Sequence, residues 1–189
     1  MGLSAHRKYP LGSASDEVRN RGLEIFQKAI NLAVDLGIRV VQVMGYDEFY
    51  EPSDQDTQRR FREGLRTGID WASKAGVTLA LENVDTELVN SAEKAMSFVN
   101  EFNSPWFQIY PDIGNMNAFG YDPLKQLMLT KGHLVGVHVK DTRPGELRGV
   151  PLGAGTVPVL DAFRQLANSG YSGSILMEMW SDFGNNQNP

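Results

Sequence analysis

The sequence predicts an α/β fold built on parallel strands, a (β/α)8 barrel of the TIM type. Three observations carry that reading. Segments with apolar residues at helical spacing alternate with short β-branched runs, and Gly37, Gly76, Gly132 and Gly170 stand just ahead of four of those runs. The runs are apolar on both faces, which parallel strands covered by helices require. Right-handed crossovers then leave a closed barrel or an open doubly wound sheet. No Gly-x-Gly-x-x-Gly follows the first strand, and Gly45-Tyr46-Asp47 is a poor phosphate cradle, so the barrel is favoured.

From Leu23, the residues Phe26, Ala29, Ile30, Ala33 and Val34 define the apolar face of a first helix, and Ile38 to Val43 form the first strand. Phe61, Leu65, Ile69 and Ala72 repeat the pattern on a second helix with Ser53 as its expected N-cap, followed by the strand Val77 to Leu81. Asn90 and Glu93 resemble a capping box for a third helix carrying Ala95, Met96 and Val99, and Trp106 to Tyr110 reads as the next strand. Asp122-Pro123 opens a shorter helix ahead of the strand Leu134 to Val139. A last helix through Leu160, Phe163 and Leu166 leads to the strand Ile175 to Met179. Between these last two units, Arg143 to Pro158 is the stretch richest in Gly and Pro and reads as a loop on the active side.

The chain has 189 residues, 41% hydrophobic and 22% charged, which fits one globular domain over residues 1–189. The Asn- and Gly-rich end, Ser181 to Pro189, reads as a frayed tail. A formal charge of −5 argues against nucleic acid as a partner, because such proteins present a basic face. Cysteine is absent, so any metal must be held by carboxylates, imidazoles and water, and the cytoplasm is the best fit. No segment approaches the roughly 20 apolar residues that span a bilayer, so no membrane partner is expected. Met1-Gly2 lacks the Ser or Thr of a myristoylation motif, having His6 in that place.

In a parallel barrel the chemistry gathers at the C-terminal ends of the strands. Here the second strand ends in Glu82-Asn83, the third in Asp112, the fourth carries His138 and the fifth carries Glu178. Any one of these alone reads as a helix cap or a hydrogen-bonded core residue. Three acids and one imidazole in register on successive strands instead ask for a cation, because unpaired buried carboxylates are costly. One divalent ion is therefore expected, with Mn²⁺, Zn²⁺, Mg²⁺ and Co²⁺ all suited to three oxygen ligands and one nitrogen. His133 falls outside the metal-site register and reads as structural.

Lys140, Asp141 and Arg143 run into the loop, and Gly153-Ala154-Gly155 follows. Basic side chains near glycine N–H groups suit a phosphate or hydroxyl group, so Lys140, Arg143, Gly153 and Gly155 are candidate substrate contacts. A surface charge pair beside a flexible turn explains the same residues equally well. His6 reads either as a contact to substrate hydroxyls or as a capped loop histidine.

Five stretches together resemble one family: Leu3-Ser4-Ala5-His6-Arg7, Leu81-Glu82-Asn83, Tyr110-Pro111-Asp112-Ile113-Gly114-Asn115, Val137-His138-Val139-Lys140-Asp141 and Met177-Glu178-Met179-Trp180. The family is the L-ribulose-5-phosphate 3-epimerases, also called L-xylulose-5-phosphate 3-epimerases and formerly hexulose-6-phosphate isomerases, among the xylose-isomerase-like barrels. The resemblance covers essentially the whole chain. It implies an isomerase that inverts C3 of a ketopentose phosphate in L-ascorbate or pentose utilisation, with a small sugar phosphate as its partner. It implies metal ligation by Glu82, Asp112, His138 and Glu178, and catalysis by Glu82 and Glu178.

A complete barrel has eight strands and about 250 residues. The resemblance therefore implies that the first two βα units and the final helix fall outside this chain, leaving an incomplete barrel with open strand edges. An incomplete gene model and a fragment of a longer protein are weighed ahead of a functional short form completed by another chain, and assembly as a homo-oligomer is a further expectation. Three other functions are weighed: a sugar isomerase that moves the carbonyl between C1 and C2, a binder of metal or sugar phosphate without turnover, and a DNA-repair endonuclease on the same kind of barrel. Three histidines are few for the trinuclear site of that last group, and the acidic charge opposes DNA.

Overall fold

The computed structural model describes residues 2–179. A short 3-10 turn, Ser4–Arg7, precedes α1 (Asp16–Asp35), β1 (Val40–Met44), α2 (Gln55–Ala75), β2 (Thr78–Glu82), α3 (Ala92–Phe102) and β3 (Phe107–Ile109). Two short helices follow, α4 (Ile113–Ala118) and α5 (Pro123–Met128), then β4 (Gly136–Val139), α6 (Val159–Asn168) and β5 (Ser174–Met177). The tail expected from Ser181 lies outside the described residues.

Every pairing between named strands is parallel, and neighbours follow sequence order: β1 with β2, β2 with β3, and β4 with β5. The two sheets are joined between β3 and β4 by parallel bridges, Ile109 to Leu134 and Asp112 to His138. Main-chain bonds from Ile109 N to His133 O and from His138 N to Pro111 O carry the ladder across that seam. Gly2 adds a parallel bridge to Gln42 on the outer side of β1. This is the α/β arrangement that the alternating pattern predicts, with all strand C-termini at one end.

Caps set the helix boundaries. Ser15 Oγ accepts from Val18 N at the start of α1, which opens earlier than Leu23. For α2 the cap is Asp54, not Ser53, in a two-way capping box with Thr57. Ser53 is turned away, donating instead to Asp47 Oδ2 at 2.6 Å. Likewise Ser91, not Asn90, caps α3. Gly76 ends α2 at φ +69°, a left-handed conformation that a residue with a Cβ adopts only at a cost.

Among the described residues the core has two parts. Phe26 and Ile30 of α1 and Phe61 and Leu65 of α2 pack over Val41, Val43, Leu79, Leu81, Phe107 and Ile109. Ile113, Leu127, Val137, Val139, Ala162 and Leu166 form the second part, behind β4. Each such Leu or Phe removed from water stabilises the fold by roughly 1.5–3 kcal/mol. Three apolar expectations fail. Val34 and Leu160, placed on buried helix faces by their spacing, are exposed, and so is the run Ile175 to Met177 on β5. Val34 and Leu160 sit at helix ends, past or ahead of the stretch that meets the sheet. Among the described residues β5 pairs only with β4, so its other edge and its faces stay uncovered. No helix among the described residues is long and apolar enough to cross a membrane.

Candidate metal centre

Four strand ends converge. Glu82 closes β2, Asp112 follows β3, His138 lies within β4 and Glu178 comes directly after β5. Each offers one ligand atom, and those atoms all lie within 4.8 Å of one another. Glu82 is held from two sides: Gln42 Nε2 donates to Oε2 at 2.5 Å, and His138 Nδ1 lies 2.7 Å from Oε1. The same ring nitrogen is 3.5 Å from Glu178 Oε2, and the Tyr110 ring meets the imidazole edge-on at 4.8 Å between centroids.

Asp112 divides its carboxylate. Oδ1 accepts from Asn115 N at 2.9 Å and so caps α4, the helix that starts at the next residue. Oδ2 is buried without a hydrogen-bond partner; Lys140 Nζ stands 3.2 Å away as an ion pair lacking hydrogen-bond alignment. Lys140 also reaches Glu178 Oε1 at 3.5 Å. Burial pushes the Asp112 carboxyl well above the usual carboxylate range, with Glu82 and Glu178 adding to the rise and Lys140 opposing it. For His138, burial favours the neutral ring, but the hydrogen bond and charge of Glu82, with Asp112 and Glu178, more than offset it and raise the pKa. Three acids and one imidazole, all buried except the partly exposed Glu178 and with one acid oxygen unpartnered, form a hard donor set that suits a divalent cation.

Asn83, next to Glu82, makes the alignment possible. Its Oδ1 accepts from Asp112 N at 2.9 Å and its Nδ2 donates to Asp112 O at 3.0 Å. A side-chain amide thus imitates a ladder pair where β2 and β3 have ended. Asn115 Nδ2 donates to Asn83 O at 2.8 Å and locks α4 to the same point. Sequence reasoning missed Gln42, Asn83 and Asn115 as site residues. The signal was present, since polar amides on or just beyond apolar strands need partners.

A cavity of about 250 Å³ opens beside the cluster, lined by Glu82, His138, Lys140 and Glu178, and by Arg7, Tyr46, Asp85 and Arg148 on its other walls. Of the expected substrate contacts, Lys140 alone faces it. The N–H groups of Gly153 and Gly155 both donate to Asp141 Oδ2 at 2.8 Å, so the protein's own carboxylate fills the anticipated phosphate cradle. Arg143 is half exposed, bound to Glu146 Oε2 at 2.9 Å and Ala154 O at 2.6 Å, and lies away from the cavity lining. His6 is buried elsewhere, 3.3 Å from Gly22 O and edge-on to Phe26, and desolvation lowers its pKa to about 4. His133 pairs with Gln108 at 3.0 Å, as its structural reading expects.

Comparison with known proteins agrees with this arrangement. The chain is 52% identical over 182 residues to the L-ribulose-5-phosphate 3-epimerase UlaE of Escherichia coli O1:K1 / APEC, covering 96% of this chain and 64% of that protein. It is 50% identical over 186 residues to the enzyme of the same name from Salmonella paratyphi A, covering 98% and 66%. It thus spans about two thirds or less of the curated relatives' length. A solved L-ribulose 3-epimerase superposes with a TM-score of 0.79 at 27% identity, over 93% of this chain and 59% of that one. The D-allulose 3-epimerase of Methylomonas sp., at a TM-score of 0.80 and 24% identity, shares the fold over 95% of this chain and 62% of its own. A profile of xylose isomerase-like TIM barrels matches residues 1–188. Parallel strands in sequence order, acids and an imidazole at their C-terminal ends, and a match over nearly every residue lead to one conclusion: the chain belongs to the xylose isomerase-like TIM barrel family.

Proposed function

We propose that this chain carries the catalytic centre of a metal-dependent 3-epimerase that interconverts L-ribulose 5-phosphate and L-xylulose 5-phosphate, a step suited to L-ascorbate or pentose utilisation. One observation carries the reading. Glu82 and Glu178, from β2 and β5, enter the same cavity from separate strands and flank His138. The relatives named L-ribulose-5-phosphate 3-epimerase support the substrate class.

The hydrogen on C3 of a 2-ketose is α to the carbonyl, so a carboxylate can remove it as a proton while the electron pair moves onto O2 as an enediolate. Epimerisation returns a proton to C3 from the opposite face. One acid takes the proton, the other delivers one, and the two end with their protonation states exchanged; the reverse reaction exchanges the roles. Glu82 and Glu178 fill these roles. Gln42 keeps the Glu82 carboxylate turned into the cavity, and the Lys140 ammonium adds positive charge beside Asp112 and Glu178. One divalent ion, Mn²⁺, Zn²⁺, Mg²⁺ or Co²⁺, held by Glu82, Asp112, His138 and Glu178, would add Lewis-acid stabilisation to the developing oxyanion.

The remote phosphate has cations to meet. Arg7, with a buried Nε lacking a hydrogen-bond partner, stands over the rings of Tyr46 and Phe49 at 5.6 and 5.3 Å. Arg148 lines the same cavity.

The test is deuterium incorporation from heavy water at C3 of L-xylulose 5-phosphate. Metal-loaded protein should label C3, and Glu82→Gln and Glu178→Gln should each slow turnover by roughly 10²- to 10⁴-fold with unchanged circular dichroism. Label at C1 would indicate an aldose–ketose isomerase instead. Near-normal epimerisation by either variant would remove the two-acid mechanism.

A further inference from the structure

We propose that Asp141 is a positioning residue: its carboxylate fixes the loop of residues 143–158 so that Leu147 and Arg148 face the cavity and set its affinity for the sugar phosphate. The choice of ligand rests on the function proposed above, whereas the geometry stands by itself.

Asp141 lies two residues past β4 and is buried. Its Oδ1 accepts from Thr142 N at 3.0 Å and Val157 N at 3.2 Å, and its Oδ2 from Gly153 N and Gly155 N, both at 2.8 Å. Burial alone would raise this carboxyl's pKa, but the main-chain donors outweigh it and hold the group below the usual range. The loop so gathered has no helix or strand beyond a bridge between Arg143 and Glu146. Gly145, Gly149 and Gly153 all take positive φ. Ordering a stretch of that kind costs entropy that local pairing does not repay. Asp141 gathers residues 12 to 16 positions ahead of it and closes the loop at its base.

The tip has its own tie. Arg148 meets Asp85 Oδ2 at 3.2 Å, and Tyr46 donates its hydroxyl to Asp85 Oδ1. Tyr46, Asp85, Leu147 and Arg148 line the cavity that also holds Glu82, His138 and Glu178. Position 155 is shaped around the same carboxylate: a Cβ there would fall 2.1 Å from Asp141 Oδ1. Leu147 and Arg148 share the cavity with Glu82 and Glu178 but carry no carboxylate that could take or return the C3 proton. Their placement therefore governs binding more than chemistry, which appears as a change in KM with kcat nearly kept.

Three variants test this: Asp141→Asn, Gly155→Ala and Arg148→Gln. Asparagine turns one acceptor oxygen into a donor, so two of the four N–H groups lose their partner. The measurements are amide hydrogen exchange across residues 143–158, the calorimetric Kd for L-xylulose 5-phosphate, which needs no turnover, and KM with kcat. For Asp141→Asn and Gly155→Ala we expect faster exchange at Gly153, Gly155 and Val157, and Kd and KM raised about 10- to 100-fold, the scale of a lost charge-assisted hydrogen bond. Arg148→Gln should raise Kd and KM while those amides stay protected. Unchanged loop exchange in Asp141→Asn, faster exchange with wild-type Kd, or no binding of the sugar phosphate by the wild type would overturn the proposal. Binding that shifts as expected without C3 turnover would sink the epimerase reading and leave the role of Asp141 standing.

Discussion

Asp112 shows how one side chain can serve the fold and the site together. Oδ1 caps α4 and Oδ2 points without a hydrogen bond into the cluster, so both readings available from the sequence, helix cap and metal ligand, are compatible in one carboxylate. The two uses can be separated. Metal-free Asp112→Asn keeps an oxygen for Asn115 N and sheds a charge whose burial is unfavourable, so its stability should match or exceed that of the wild type. Asp112→Ala loses the cap and should fall below Asp112→Asn by about 1 kcal/mol in urea unfolding. Equal stability of the two variants would show that the cap contributes nothing. At this scale the sequence displayed the four converging residues because strand ends are legible from pattern. It did not display that Asp141 takes the N–H groups of Gly153 and Gly155, or that His6 turns toward Gly22, because those partners are chosen by tertiary packing.

The helices and strands follow from apolar spacing, while their ends depend on which of two adjacent polar residues reaches the free N–H groups. Ser53 lost that place to Asp54 because Asp47 draws its hydroxyl away, and Asn90 lost it to Ser91 while accepting from Tyr121. Small residues set how closely α2 approaches α1 and the segment ahead of α1. An added Cβ at Gly68 would meet the Phe26 ring at 2.3 Å, and one at Gly64 would meet Leu11 at 3.0 Å. Gly68→Ala gains roughly 1 kcal/mol of helix propensity. It also forces a buried ring to move, at a cost of roughly 1–3 kcal/mol. We expect net destabilisation, read as a lower urea midpoint with unchanged slope; a raised midpoint would mean that Phe26 relaxes freely. Periodicity placed Val34 and Leu160 on buried faces because it cannot see where a helix runs past its sheet.

Across the molecule, the five parallel strands among the described residues, in sequence order, bring Glu82, Asp112, His138 and Glu178 to one point, although up to 96 positions separate them in the chain. The seam between β3 and β4 is central to this, since the bridge joining Asp112 to His138 is itself part of the site. The sequence made this topology readable because each strand is short, apolar and preceded by its own helix. Exposure of β5 was the part that apolar content could not reveal, as burial depends on which neighbours a strand has. The most direct test of the convergence is calorimetric titration of metal-depleted protein with Mn²⁺, alongside the double variant Asp112→Asn, His138→Gln. One ion per chain should bind to the wild type and none measurably to the double variant; equal binding by both, or none by the wild type, would contradict a shared four-residue centre.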